Sequence, residues 1–186
     1  MQGAVIITVA AVALFVIFVL INKKSVTKDK EGVVKDVLNK DALLVEFEGQ
    51  KPMVVKLWGI TPASESEMVD DQVFGFLNER VLGHKVLVKP VRLDIGDVVV
   101  AGVHSLAGEY VNAAMVLQGF ARWAPSEAPN DREIMEAQTV AQQKQVGIWN
   151  PAVRQLVEEK MKKAASGELD ESDLEDLERP LDGEKG

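Results

Sequence analysis

A chain of 186 residues has room for one ordinary domain with extensions. It holds no cysteine, which excludes disulfides and thiolate metal sites. The formal charge of −8 is unevenly spread: +3 over residues 1–30, −6 over 31–152, +2 over 153–166 and −7 over 167–186. A central region that is itself acidic disfavours nucleic acid as a partner.

Residues 3–21 are apolar except for Thr8, and Asn22-Lys23-Lys24 closes the run. A helix of that length rises ~28 Å, about the hydrocarbon thickness of a bilayer. A soluble core helix would carry a polar face. A cleaved signal peptide would begin with basic residues, and Met1-Gln2 supplies none; the cleavage-like Ala11-Val12-Ala13 lies inside the apolar run. Residues 1–22 therefore read as a single-pass transmembrane helix and 23–30 as a basic stem. Lys23, Lys24, Lys28 and Lys30 follow the span and nothing basic precedes it. The positive-inside rule then sets the N-terminus outside and the rest of the chain on a cytoplasm-like side: cytosol, matrix or stroma. The same lysines suit anionic headgroups.

Weak alternation over 31–38 predicts a first strand, and Asn39-Lys40-Asp41 a turn. Residues 42–48 alternate with Leu43, Val45 and Phe47 on the apolar face. After Gly49-Gln50, residues 53–59 form a third strand, which completes a meander. The period changes from about Ser66: Met68, Val69, Val73, Phe76, Leu77, Val81 and Leu82 recur at helical spacing until Gly83. Residues 85–91 and 97–104 alternate again, and Leu106-Ala107-Gly108-Glu109 turns the chain. A short helix over 112–118 ends at Gly119, and 120–124 is brief and apolar. Asn130 or Asp131 caps a longer helix that runs to Val146 and stops at Gly147. The expected fold is α+β: a five-stranded OB-fold β-barrel with about three helices, over residues 31–152. Such barrels host many functions, so the fold by itself decides none.

Several segments carry a likeness. Gly32-Val33-Val34-Lys35-Asp36-Val37, the turn with Asp41, and Leu57-Trp58-Gly59-Ile60 make up its front half. Tyr110 to Trp123, and Ala137 to the closing Gly147-Ile148-Trp149, make up its back half. Together these resemble the thermonuclease (staphylococcal nuclease-like) family over residues 31–151. That resemblance implies an OB barrel and calcium-dependent phosphodiester hydrolysis, which needs metal-binding carboxylates, a glutamate base and two arginine clamps. It also implies where those groups should stand. Asp41 survives at the first metal carboxylate. Lys56 stands at the first arginine, Thr61 at the second metal carboxylate, Ser64 at the base and Asp97 at the second arginine. Glu65 or Glu67 replaces the base only if the turn is re-registered. Arg92 lies just upstream of the reversed charge at Asp97. On this alignment the catalytic and metal sites are dismantled and no cofactor is expected; Ca2+ enters only under a rebuilt-nuclease reading.

His84 and His104 lie in different strand regions and read as structural or surface residues. Trp58, Trp123 and Trp149 read as core. Val153, Leu156, Val157, Met161 and Ala164 make an amphipathic helix over 153–166. The acidic tail, 167–186, holds Leu169, Leu174 and Leu177: a solvated tail, or a docking segment for a basic partner. The functional expectation is a pseudo-nuclease that anchors in a membrane through residues 3–21 and serves as a binding or accessory subunit among the protein subunits of a larger membrane complex. A tethered calcium nuclease using Asp41, Lys56 and Glu65 or Glu67 is the enzymatic alternative, and a single-strand-binding OB module the third.

Overall fold

The computed structural model describes residues 28–63 and 67–166. The anchor residues 3–21, Ser64, Glu65 and the tail leucines Leu169, Leu174 and Leu177 lie outside the described residues. Among the described residues, no helix is long and apolar enough to cross a membrane.

Five strands close into a barrel: β1 (Lys30–Asn39), β2 (Ala42–Phe47), β3 (Met53–Leu57), β5 (Lys85–Asp94) and β6 (Val98–Ser105). Their order around the barrel is β1-β2-β3-β6-β5. All neighbours are antiparallel except β3 and β6, where Lys56 pairs with Val100 in a parallel ladder. The alternation read from the sequence is the alternation of burial. Leu43, Val45 and Phe47 on β2 face inward with Val34, Val55, Leu57, Val86, Val88 and Val103, all at most 5 % exposed.

Two strand limits differ from expectation. The third strand stops at Leu57, and Trp58-Gly59 turn the chain into β4 (Ile60–Pro62), which pairs with β7 (Ala121–Trp123) in a separate two-stranded sheet. Gly59 is the reason for the turn: its φ is +76°, and a Cβ there would stand 2.7 Å from Ala128 Cβ. β5 runs past Pro90 to Asp94, with the register shifted between Pro90 and Arg92. That irregularity is the usual answer of a ladder to a residue lacking an N–H.

Among the described residues, four α-helices accompany the barrel. α1 (Glu67–Arg80) buries Val69, Val73 and Leu77 at four-residue spacing. Beyond it Val81 is also buried, and Gly83 N–H donates to Val34 O at 2.8 Å, which ties the end of α1 to β1. α2 (Val111–Leu117) is almost wholly buried. α3 (Arg132–Lys144) begins where Asp131 accepts from Ile134 N–H, so Asp131 rather than Asn130 is its cap. It ends at Lys144, two residues short of the expected Val146, with Gln145 at φ 53° as its C-cap. Gly147 does other work: it opens the 3-10 turn Gly147–Trp149, in backbone contact with Gly119. α4 (Pro151–Ser166) follows. Of its expected stripe, Val153 and Val157 are half-buried and Leu156 is 42 % exposed.

Candidate functional site

The strand ladders bring the predicted positions to one region. Ala42 faces Lys56, Lys56 faces Val100, and Val100 faces Arg92, so one row of the sheet runs from the β1–β2 turn to the β5–β6 hairpin. Residues that face each other across a ladder share a face of the sheet.

Asp41 sits in the β1–β2 turn. Its N–H donates to Asn39 Oδ1 at 2.9 Å, and its carbonyl accepts from Leu57 N–H at 2.7 Å. The carboxylate, 14 % exposed, lies 3.5 Å from Lys56 Nζ. The surviving acid and the residue at the first clamp position are thus joined, with the lysine neutralising the carboxylate. Thr61 stands on β4 opposite Arg122, exposed and without a charge to offer a cation. Asp97 closes the β5–β6 turn at φ 60°, fully on the surface. Arg92 turns towards acids of its own, 3.4 Å from both Asp94 and Glu127. Glu67 opens α1.

Calcium takes six to eight oxygen ligands with a net negative charge. Among the described residues, no three His, Asp or Glu side chains come together as a metal-holding group. Asp41 with a lysine against it does not fit a calcium site.

Two charges that sequence reasoning passed over lie beside this row. Lys40 Nζ reaches both carboxylate oxygens of Asp70 at 2.7 Å and Ala63 O at 3.1 Å. An ammonium therefore clasps the chain just after Pro62 to the first turn of α1. Its place next to Asp41 was visible; nothing marked Asp70, thirty residues on. Arg122 lies over the ring of Trp149 at 5.6 Å, so that tryptophan is a cation–π platform as well as a core residue. Trp123 donates its Nε1–H to Ala128 O at 2.8 Å. Trp58 borders an open groove of about 430 Å³ with Ala128, Pro129, Asn130, Asp131 and Arg132.

His104 and Tyr110 stack with centroids 4.5 Å apart, and Tyr110 O–H donates to Asp131 at 3.1 Å. Burial pushes the Tyr110 phenol far up, and the Asp131 charge and hydrogen bond add to it. His104 is lowered, first by burial and then by Lys89, while Asp29 and Asp131 oppose the shift. His84 Nδ1 lies 3.3 Å from Arg80 O at the end of α1. Neither histidine has a partner suited to metal binding among the described residues.

Residues 61–151 match the family model described as staphylococcal nuclease homologue. That match runs from β4 to the start of α4, and three strands of the closed barrel precede it. No curated relative matches the chain.

Proposed function

We propose that this staphylococcal nuclease homologue domain has exchanged hydrolysis for binding. The chain would act as a membrane-anchored, non-catalytic scaffold or accessory subunit of a larger membrane protein complex. The observation that carries the reading is the Asp41 carboxylate facing Lys56 at 3.5 Å. A resident ammonium competes with a divalent cation for the one remaining acid. Thr61 and Asp97 add to it: a hydroxyl replaces a carboxylate, and a carboxylate replaces a guanidinium. Loss of a single such group commonly costs about 3 kcal/mol in barrier, and here several are lost together.

The anchor at residues 3–21 holds the domain near a bilayer on its cytoplasm-like side. Leu169, Leu174 and Leu177, set among acids, supply apolar anchors for a basic protein partner.

Two measurements test this. Single-stranded DNA with calcium is expected to survive incubation with the protein as it survives with Asp41→Ala; cleavage that Asp41→Ala abolishes would reinstate the tethered nuclease. Extraction in mild detergent followed by size analysis is expected to bring other subunits along, and a lone monomer would count against the scaffold.

A second reading, a single-strand-binding barrel, draws on the row that places Lys56 and Arg92 on either side of Val100. It predicts salt-sensitive retention of single strands. The net charge of −6 over residues 31–152 works against it.

A further inference from the structure

β5 outruns its neighbour β1. Lys30, the first residue of β1, faces Val88, whereas β5 continues to Asp94 with β6 as its partner. Along β5, Ile95 stands ~23 Å past Val88 at the rise of an extended strand, but β6 keeps its pairing with β3 as far as Val99, opposite Leu93, so only the turn from Asp94 to Val98 projects past both neighbours. Residues 91–97 are exposed throughout. Ile95 at the tip is 99 % exposed, with Val91 at 51 % and Leu93 at 46 %. The register shift falls at Val91; beyond it Arg92 and Asp94 share a face, where they pair at 3.4 Å, and Leu93 takes the other. Arg92 also reaches Glu127, which steadies the ribbon against the loop before α3. Ile95 is therefore held out in water, with Val91 and Leu93 about half exposed beside it.

The direction of the overhang names what covers it. β1 and β5 are antiparallel, so the chain preceding Lys30 leaves the barrel the way β5 runs to its tip. The seven residues 23–29 separate β1 from the anchor, and seven residues span at most ~25 Å. A tether of that reach can set a bilayer entered by residues 3–21 as far out as the level of Ile95.

We propose that Val91, Leu93 and Ile95 form a second membrane contact, in which the hairpin tip seats its apolar side chains in the interfacial layer of the bilayer that the anchor enters. The inference rests on the anchored reading of residues 3–21. Lys28 and Lys89 stand behind the tip at headgroup level, and Asp94 and Asp97 keep the insertion shallow. The contact fixes how the domain is turned on the membrane, with the Asp41–Lys56 row carried by the same end of the sheet.

The absence of cysteine makes the test direct. Full-length Ile95→Cys and Leu106→Cys each take one nitroxide label and are reconstituted into phosphatidylcholine vesicles. Leu106 is also exposed, at 57 %, and lies beyond the opposite end of β6. The Ile95 label is expected to be several-fold less accessible to a water-soluble nickel chelate than the Leu106 label, and more accessible to oxygen. Equal chelate access in a chain that floats with its vesicles overturns the contact and leaves the anchor standing. A chain that does not float overturns both. Spin–spin broadening at Ile95 would assign the tip to a second copy of the chain and overturn the membrane contact.

Discussion

Asn112 shows how much of this fold rests on one side chain. It is the one fully buried polar residue among the described residues. Its Oδ1 accepts from Val103 N–H at 3.0 Å, and its Nδ2 donates to Trp58 O at 2.8 Å and Ala101 O at 3.2 Å. The amide thus joins α2 to β6 and to the turn after β3, the turn that aims β4 and Thr61. Asn112→Leu removes all three bonds and leaves buried backbone groups without partners, at about 1–3 kcal/mol for such a group. A loss of about 3 kcal/mol in stability is expected, read as a lower urea midpoint with an unchanged slope. A loss within experimental error would mean that the backbone finds other partners. In the sequence Asn112 marked only the start of a short helix, because its partners are set by tertiary packing. Lys40 was hidden for the same reason, since the acid it clasps lies on α1. Asp41, Lys56 and Thr61 were found through resemblance to a known pattern; their residue types alone mark no site.

Elements long enough to show a period were readable, and shorter ones were not. β1, β2, α1 and α3 announced themselves by spacing, whereas β4 and β7, three residues each, are too short for alternation to register. Just before β7, two distant glycine segments meet. Gly119 has φ +70° and Gly147 φ +55°, and a Cβ on either would stand 2.3 Å from a backbone oxygen of the other segment. Ile148 N–H donates to Gly119 O at 3.0 Å across this contact. Gly147 read as a helix stop, yet what selects it is close approach. Gly119→Ala and Gly147→Ala are each expected to destabilise the domain by about 3 kcal/mol, from clash and unfavourable φ together. Gly49→Ala is the control: φ is +69° but nothing lies within 4 Å, so only the backbone term remains, about 1 kcal/mol. Thermal or urea unfolding of the three variants separates the effects, and equal losses would refute the close-contact account.

An aromatic relay links the barrel to α3, and its two titratable members make the stability of the domain depend on pH. His104 on β6 stacks on Tyr110, whose hydroxyl donates to Asp131, which in turn caps α3. The folded phenol holds its proton well above the ordinary value of 10.0, chiefly because it is buried. An unfolded chain releases that proton from about pH 10, so above that point alkali favours unfolding. His104 limits the acid side by the same logic. Burial lowers it below 6.5, so as pH falls through about 6.5 the unfolded chain takes up a proton before the folded one, and stability drops. Tyr110→Phe tests the relay at both levels. At neutral pH the variant should be about 1 kcal/mol less stable for want of the Asp131 bond. Between pH 9 and pH 11 its stability should fall less steeply than the parent's, because the proton that drove the fall is gone. Tyr110 is the chain's single tyrosine, so tyrosinate absorbance during alkaline titration reports this group alone and should rise only as the fold is lost. Parallel alkaline slopes for parent and variant, or tyrosinate forming in a domain that is still folded, would mean that the phenol is solvated and that barrel and helices are held together by packing without it.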